Sequence, residues 1–150
     1  MRVVLDTGVL VRANAKSRGP AREVLMAILD GPHELVISAF LLEETARVLR
    51  YPRLLARHGL SEPEIEDHLD FLRRISELVD VAVGKPVVVS DPDDDPVLYT
   101  AVDGHANVLC TLDRDFFQPG VIAFCRGRHI AVMTDVELLR LLVPKRSAEP

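Results

Sequence analysis

The sequence predicts an α/β protein: a three-layer α/β/α sandwich around a central parallel sheet of four or five strands. Three observations predict it. Short runs rich in valine and leucine recur along the chain, and helical patterns separate them. Strands of that kind, joined through helices, form parallel sheets covered on both faces. The balance of 48% hydrophobic and 27% charged residues is that of a globular domain, and 150 residues suit one such domain with a proper core. The expected domain covers residues 1–143, with 144–150 as a C-terminal tail.

The elements follow in order. "RVVLD" (2–6) reads as a short buried strand. "PAREVLMAILDG" (20–31) reads as a helix. Val24, Leu25, Ile28 and Leu29 form its stripe, Pro20 suits its first turn, and Gly31 follows its end. "ELVIS" (34–38) is the second strand. "AFLLEETARVLR" (39–50) is a helix stopped by Pro52. "SEPEIEDHLDFLRRISELV" (61–79) opens on a capping box, Ser61 with Glu64, and carries Ile65, Leu69, Leu72 and Val79 at near-helical spacing. "KPVVVS" (85–90) reads as the third strand, "PVLYTAVDGHA" (96–106) as a helix and "NVLCTLD" (107–113) as the fourth strand. "HIAVMT" (129–134) is the fifth strand and "DVELLRLLV" (135–143) a closing helix.

Strand ends carry the chemistry of such folds, because ligands bind outside the carboxyl edge of the sheet. Asp6 ends the first strand, Asp91 and Asp94 follow the third, and Asp113 follows the fourth after Thr111. Clustered carboxylates repel one another unless a cation joins them, and hard cations such as Mg²⁺ or Mn²⁺ take oxygen ligands. An acidic metal site is therefore expected. On the helix at 39–50, Leu41, Thr45, Val48 and Leu49 define the apolar face. Glu44 lies at the edge of that face, whereas Glu43 lies roughly opposite and can pair with Arg47 four residues on. Glu44 is the better ligand. Within "SDPDDDP" (90–96) the chemistry leaves the choice open. Asp94 or Asp95 could simply cap the helix that Pro96 begins, and Asp91 could shape the turn.

Several function classes fall away. Asp6-Thr7-Gly8 has the aspartic-protease triplet, but that fold is all-β and needs the triplet twice. A dehalogenase-type phosphatase would want an aspartate where Gly8 stands. The formal net charge of −5 argues against nucleic-acid binding by bulk positive charge, although a metal would neutralise the aspartate cluster. Cys110 and Cys125 lack metal spacing and read as buried apolar residues, and the five histidines are too scattered to form a site. No apolar run approaches a membrane span, and strand-like sequence from Arg2 leaves no signal peptide, so a cytoplasmic location is expected.

Four stretches together, "VVLDTGVLV", "ISAFLLEETARVLR", "SDPDDDPVLYTA" and "VLCTLDRDFF", resemble PIN-domain ribonucleases, especially the toxin halves of VapBC-like toxin–antitoxin pairs. The resemblance runs from residue 2 to about residue 142. It implies Asp6, Glu44, Asp94 and Asp113 as the catalytic and metal-binding acids, with Asp94 selected by its distance from Ala101. It implies Asp115 as an accessory acid and Thr111 as a hydrogen-bonding partner, and Asp91 stays an accessory candidate. The family usually has asparagine where this chain has Gly8. The implied activity is Mg²⁺- or Mn²⁺-dependent hydrolysis of single-stranded or loop RNA. Arg12 and Lys16, with Arg18 and Arg22 nearby, are the candidate RNA contacts. The implied partners are RNA, an antitoxin protein and a second copy of the chain. The apolar content of the helices at 39–50 and 61–79 also points to self-association. A PIN-like module that binds RNA or protein without cutting is the alternative.

Overall fold

The computed structural model describes residues 1–82, 86–88 and 91–144. Among them, eight helices flank a five-stranded sheet. The strands are β1 (Arg2–Leu5), β2 (Glu34–Ser38), β3 (Ser76–Val79), β4 (Val108–Cys110) and β5 (Ala131–Met133). They are ordered β3-β2-β1-β4-β5, and every pair is parallel. The predicted α/β class and parallel sheet are observed. The helices are α1 (Thr7–Arg12), α2 (Pro20–Asp30), α3 (Ala39–Leu49), α4 (Pro52–His58), α5 (Glu62–Ile75), α6 (Asp95–Asp103), α7 (Pro119–Arg126) and α8 (Asp135–Leu142).

The topology explains why the site lies where it does. From β1 the chain builds outward through β2 to β3, then returns to place β4 on the other side of β1. The order reverses between β1 and β4, and the crevice at such a reversal is where open α/β sheets bind ligands. Leu5 pairs with Cys110 in register, so Asp6 and Thr111 leave the two central strands side by side. Those strands are buried, with Val3, Val4, Val108 and Leu109 in the main core. Cys110 and Cys125 are buried free thiols, as expected.

Several elements differ from the sequence reading. Among the described residues the third strand is Ser76–Val79, whereas the sequence reading placed it at 85–90. Residues 86–88 are not strand, and the rest of that stretch lies outside the described residues. The helix at 61–79 ends at Ile75. Its capping box forms as read, with Ser61 accepting from the Glu64 amide, but Ser76 turns extended (φ −102°, ψ 151°) and SELV pairs with β2. Ile65, Leu69 and Leu72 carry the helical stripe without Val79, and Leu78 is exposed on the edge strand. Pro52 stops α3 but also opens α4 at the first helical position, which tolerates its missing N–H. Gly59 closes α4 with φ +65°, a conformation that glycine adopts without strain.

Three short helices, α1, α4 and α7, were not read from the sequence. α1 spans only six residues and has Gly8 in its first turn, so it carries little helical signal of its own. It is held by packing against α2 and α3. A second apolar cluster, Val11, Leu49, Leu60, Ile65 and Leu69, joins α1, α3 and α5. Much of the apolar surplus that suggested self-association is thus buried within the chain.

Candidate metal centre

The end of β1 sets the site. Asp6 stays extended (φ −64°, ψ 159°) and caps α1, its Oδ1 accepting from the Thr7 amide at 2.8 Å. Its other oxygen, Oδ2, accepts from Thr111 Oγ1 at 2.7 Å, across the gap between β1 and β4. The same Thr111 hydroxyl accepts from the Asp113 amide at 3.0 Å. Asp113 caps the turn Arg114–Phe117 through its Oδ1, which accepts from the Asp115 amide at 3.0 Å. One buried hydroxyl therefore orients Asp6 and fixes the loop that carries Asp113 and Asp115.

Glu44 reaches the same edge from α3. Thr7 Oγ1 donates to Glu44 Oε2 at 2.8 Å, and Arg47 stands 4.0 Å from Oε1. Glu44 is half-buried while Glu43 is exposed, as the helical face argument required. The expected Glu43–Arg47 pair is replaced by Glu44–Arg47, three residues apart. Thr7 was missed as a site residue. It binds both first acids, one through its amide and one through its hydroxyl.

The aspartate-rich stretch divides its labour. Asp95 is buried and structural: its carboxylate accepts from the Val87 and Val88 amides at 2.8 to 3.1 Å. Asp91 turns back onto the Asp93 amide at 3.1 Å. Asp94 occupies the N-cap position of α6 but makes no side-chain cap. Its Oδ2 is buried and has no hydrogen-bond partner among the described residues. Buried polar atoms rarely go unpaired, because each costs on the order of 1–3 kcal/mol. Asp91, Asp94 and Asp115 each present an oxygen such that all three lie within 4.8 Å of one another. Two of these three were read only as accessory.

Electrostatics ties the groups together. Burial pushes the Asp6 carboxyl up; the Thr111 and Thr7 hydrogen bonds oppose this, and the charges of Glu44 and Asp113 add to it. Burial, then the charges of Asp113, Asp91, Asp6 and Asp115, push Asp94 up to about 8. Six acids thus crowd one edge of the sheet, and only Glu44 has a cationic side chain beside it among the described residues. An unpaired buried oxygen in an all-carboxylate donor set fits a hard divalent ion.

The basic candidates separate. Lys16 is engaged, forming an ion pair with Glu64 at 3.2 Å and donating to the Gly59 carbonyl at 3.0 Å. Arg22 donates to the Ala13 carbonyl at 3.1 Å, and Arg18 is exposed. Arg12 is exposed and makes no ion pair among the described residues. Arg12 and Lys16 line a groove that also carries Arg53 and Arg57 of α4. The latter two were not read as candidates. Their i,i+4 spacing would have marked one helical face had Pro52 been taken as a helix start.

The PIN domain family matches over residues 2–115. No curated protein and no solved structure matches the chain.

Proposed function

Since the chain belongs to the PIN domain family, we propose that it is a metal-dependent endoribonuclease acting on single-stranded or loop RNA. The observation that carries the proposal is the buried, unpaired Oδ2 of Asp94 among Asp91, Asp115, Asp113 and Asp6. Asp6, Glu44, Asp94 and Asp113 would hold Mg²⁺ or Mn²⁺, with Asp91 and Asp115 close enough to share the task. The ion, when bound, supplies a Lewis acid for the phosphodiester and lowers the pKa of the attacking water.

The chain's own residues orient and stabilise. Thr111 keeps Asp6 Oδ2 facing the β1–β4 crevice, and Thr7 holds Glu44 against it. The Asp113 cap fixes the loop that brings Asp115 toward Asp94. Gly8 bears on the alternative, a PIN-like module that binds without cutting, because no side-chain amide stands beside Asp6. Against that alternative, Asp6 already has two donors, and a Cβ at Gly8 would meet nothing within 4 Å.

The finer reading is that the protein is the toxin of a toxin–antitoxin pair, acting as a homodimer. That reading rests on the family resemblance, as does the antitoxin partner; a cytoplasmic location rests on the sequence alone, which shows no apolar span and no signal peptide. Among the described residues no helix is long and apolar enough to cross a membrane. The test is cleavage of a fluorescent single-stranded RNA in Mg²⁺ or Mn²⁺, alongside calorimetry of metal binding. Metal binding with cleavage that EDTA abolishes supports the nuclease. Metal binding without cleavage supports the binding module.

A further inference from the structure

Given the nuclease reading above, we infer that the groove between α1 and α4 binds the phosphodiester backbone of single-stranded nucleic acid and leads it past Gly8 into the acidic edge. The groove encloses about 420 Å³. Its lining includes Arg12, Lys16, Arg53 and Arg57 and no acidic residue, in a chain whose net charge is −5. Positive charge is therefore concentrated here against the overall balance.

The polar residues of the lining fall into two sets. Lys16 and His58 build the walls. Lys16 ties its loop to Glu64 and to the Gly59 carbonyl. His58 accepts from the Leu60 amide through Nδ1, so its Nε2 donates to the Leu49 carbonyl at 2.9 Å and fastens α4 to the end of α3. Arg12, Arg53 and Arg57 remain, all exposed and none in an ion pair among the described residues. Arg53 and Arg57 sit one turn apart, about 6 Å along the axis of α4, so they address successive points on an extended polyanion. Val11, Val48 and Leu54 add apolar surface to the lining, which ribose and base can cover and a small inorganic anion cannot.

Gly8 connects this groove to the site. It lines the groove, and Asp6 lies two residues before it on the same turn. A Cβ at position 8 would touch nothing within 4 Å, so the passage beside it is open. A strand held by the arginines would meet the carboxylate edge, where a divalent ion is needed before a phosphate can approach.

The test is binding of a short fluorescein-labelled single-stranded RNA, by anisotropy in EDTA so that no cleavage occurs, over a series of salt concentrations. Arg53→Ala/Arg57→Ala should weaken binding about tenfold at low salt and reduce the log–log salt slope by about 1.4, the loss of two phosphate contacts. Arg53→Lys/Arg57→Lys should retain most of the slope. Arg140→Ala, in a separate crevice between α2 and α8, should change nothing. Equal affinity and slope in the double alanine variant would overturn the inference. So would an arginine-dependent preference for poly-glutamate over RNA, which would mark the groove as a seat for an acidic protein. Arginine-dependent binding with no cleavage in Mg²⁺ or Mn²⁺ would keep the groove and remove the nuclease reading. Undiminished binding and cleavage in the double alanine variant would do the reverse.

Discussion

Thr111 donates to Asp6 across the boundary between β4 and β1, Oγ1 to Oδ2 at 2.7 Å, and the same hydroxyl accepts the Asp113 amide. A fully buried threonine thus links two of the four acids that the resemblance implies. Thr111→Val keeps the shape and removes both hydrogen bonds. Stability should drop by about 1 kcal/mol. Metal affinity should fall about 10- to 100-fold, the usual cost of losing the partner of a ligand. Calorimetry and melting curves check this; unchanged metal affinity would show that Asp6 needs no such orientation.

Asp94 and Asp95 are neighbours with opposite expected behaviour. Asp95→Ala removes the acceptor for two backbone amides, Val87 and Val88, and should destabilise by roughly 2 kcal/mol. Asp94→Ala breaks no hydrogen bond among the described residues, so the fold should hold while metal binding is lost. Thermal melts with and without Mn²⁺ separate the two. A reversed ranking would mean that the structural and metal-facing acids have been exchanged.

The raised Asp94 makes metal-free stability depend on pH. Its folded value of about 8 lies above the ~3.9 of an unfolded aspartate, so the folded state binds the proton more tightly. The contribution of this group is therefore complete below about pH 4 and is lost as the pH rises through about 8. In EDTA, the wild type should lose stability relative to Asp94→Asn across that window. Saturating Mg²⁺ should reverse the difference, because the ion stabilises the folded wild type and not the variant that has lost its site. A constant gap between the two melting temperatures at every pH would contradict the assignment.

Glu43 and Glu44 test the helical face argument. Glu44→Gln weakens a group hydrogen-bonded to Thr7 at the acidic edge and should reduce cleavage at least tenfold. Glu43→Gln changes an exposed residue and should be nearly silent. Equal losses in a side-by-side nuclease assay would show that the α3 contribution is general charge, not a placed ligand.

Much of this was legible in the sequence because local and tertiary signals agree there. β1, α2, β2 and α3 read correctly, since valine-rich runs and a helical stripe each lead to buried faces. The helical face alone separated Glu44 from Glu43. Where one residue type serves two purposes, the reading failed. Pro52 ends one helix and begins another, which hid α4 and with it Arg53 and Arg57. Val79 continued an apolar helical pattern, but Ser76 turned the chain into an edge strand. Asp94 could not be separated from Asp95 by residue chemistry, because only the fold reveals which carboxylate meets the amides at 87 and 88 and which faces the other acids.

The central claim is that the acids at the β1–β4 boundary hold a divalent ion for RNA hydrolysis. Cleavage of single-stranded RNA by wild type and Asp6→Asn, in Mg²⁺ or Mn²⁺ with an EDTA control, tests it most directly. Asparagine preserves the volume while removing a charge from the ion's site. The account predicts wild-type cleavage that EDTA abolishes, and a loss of orders of magnitude in Asp6→Asn. Metal-free melting should hold or rise, because burial and the charges of Glu44 and Asp113 already raise the Asp6 carboxyl. Full activity in Asp6→Asn, or wild-type cleavage that persists in EDTA, would contradict it.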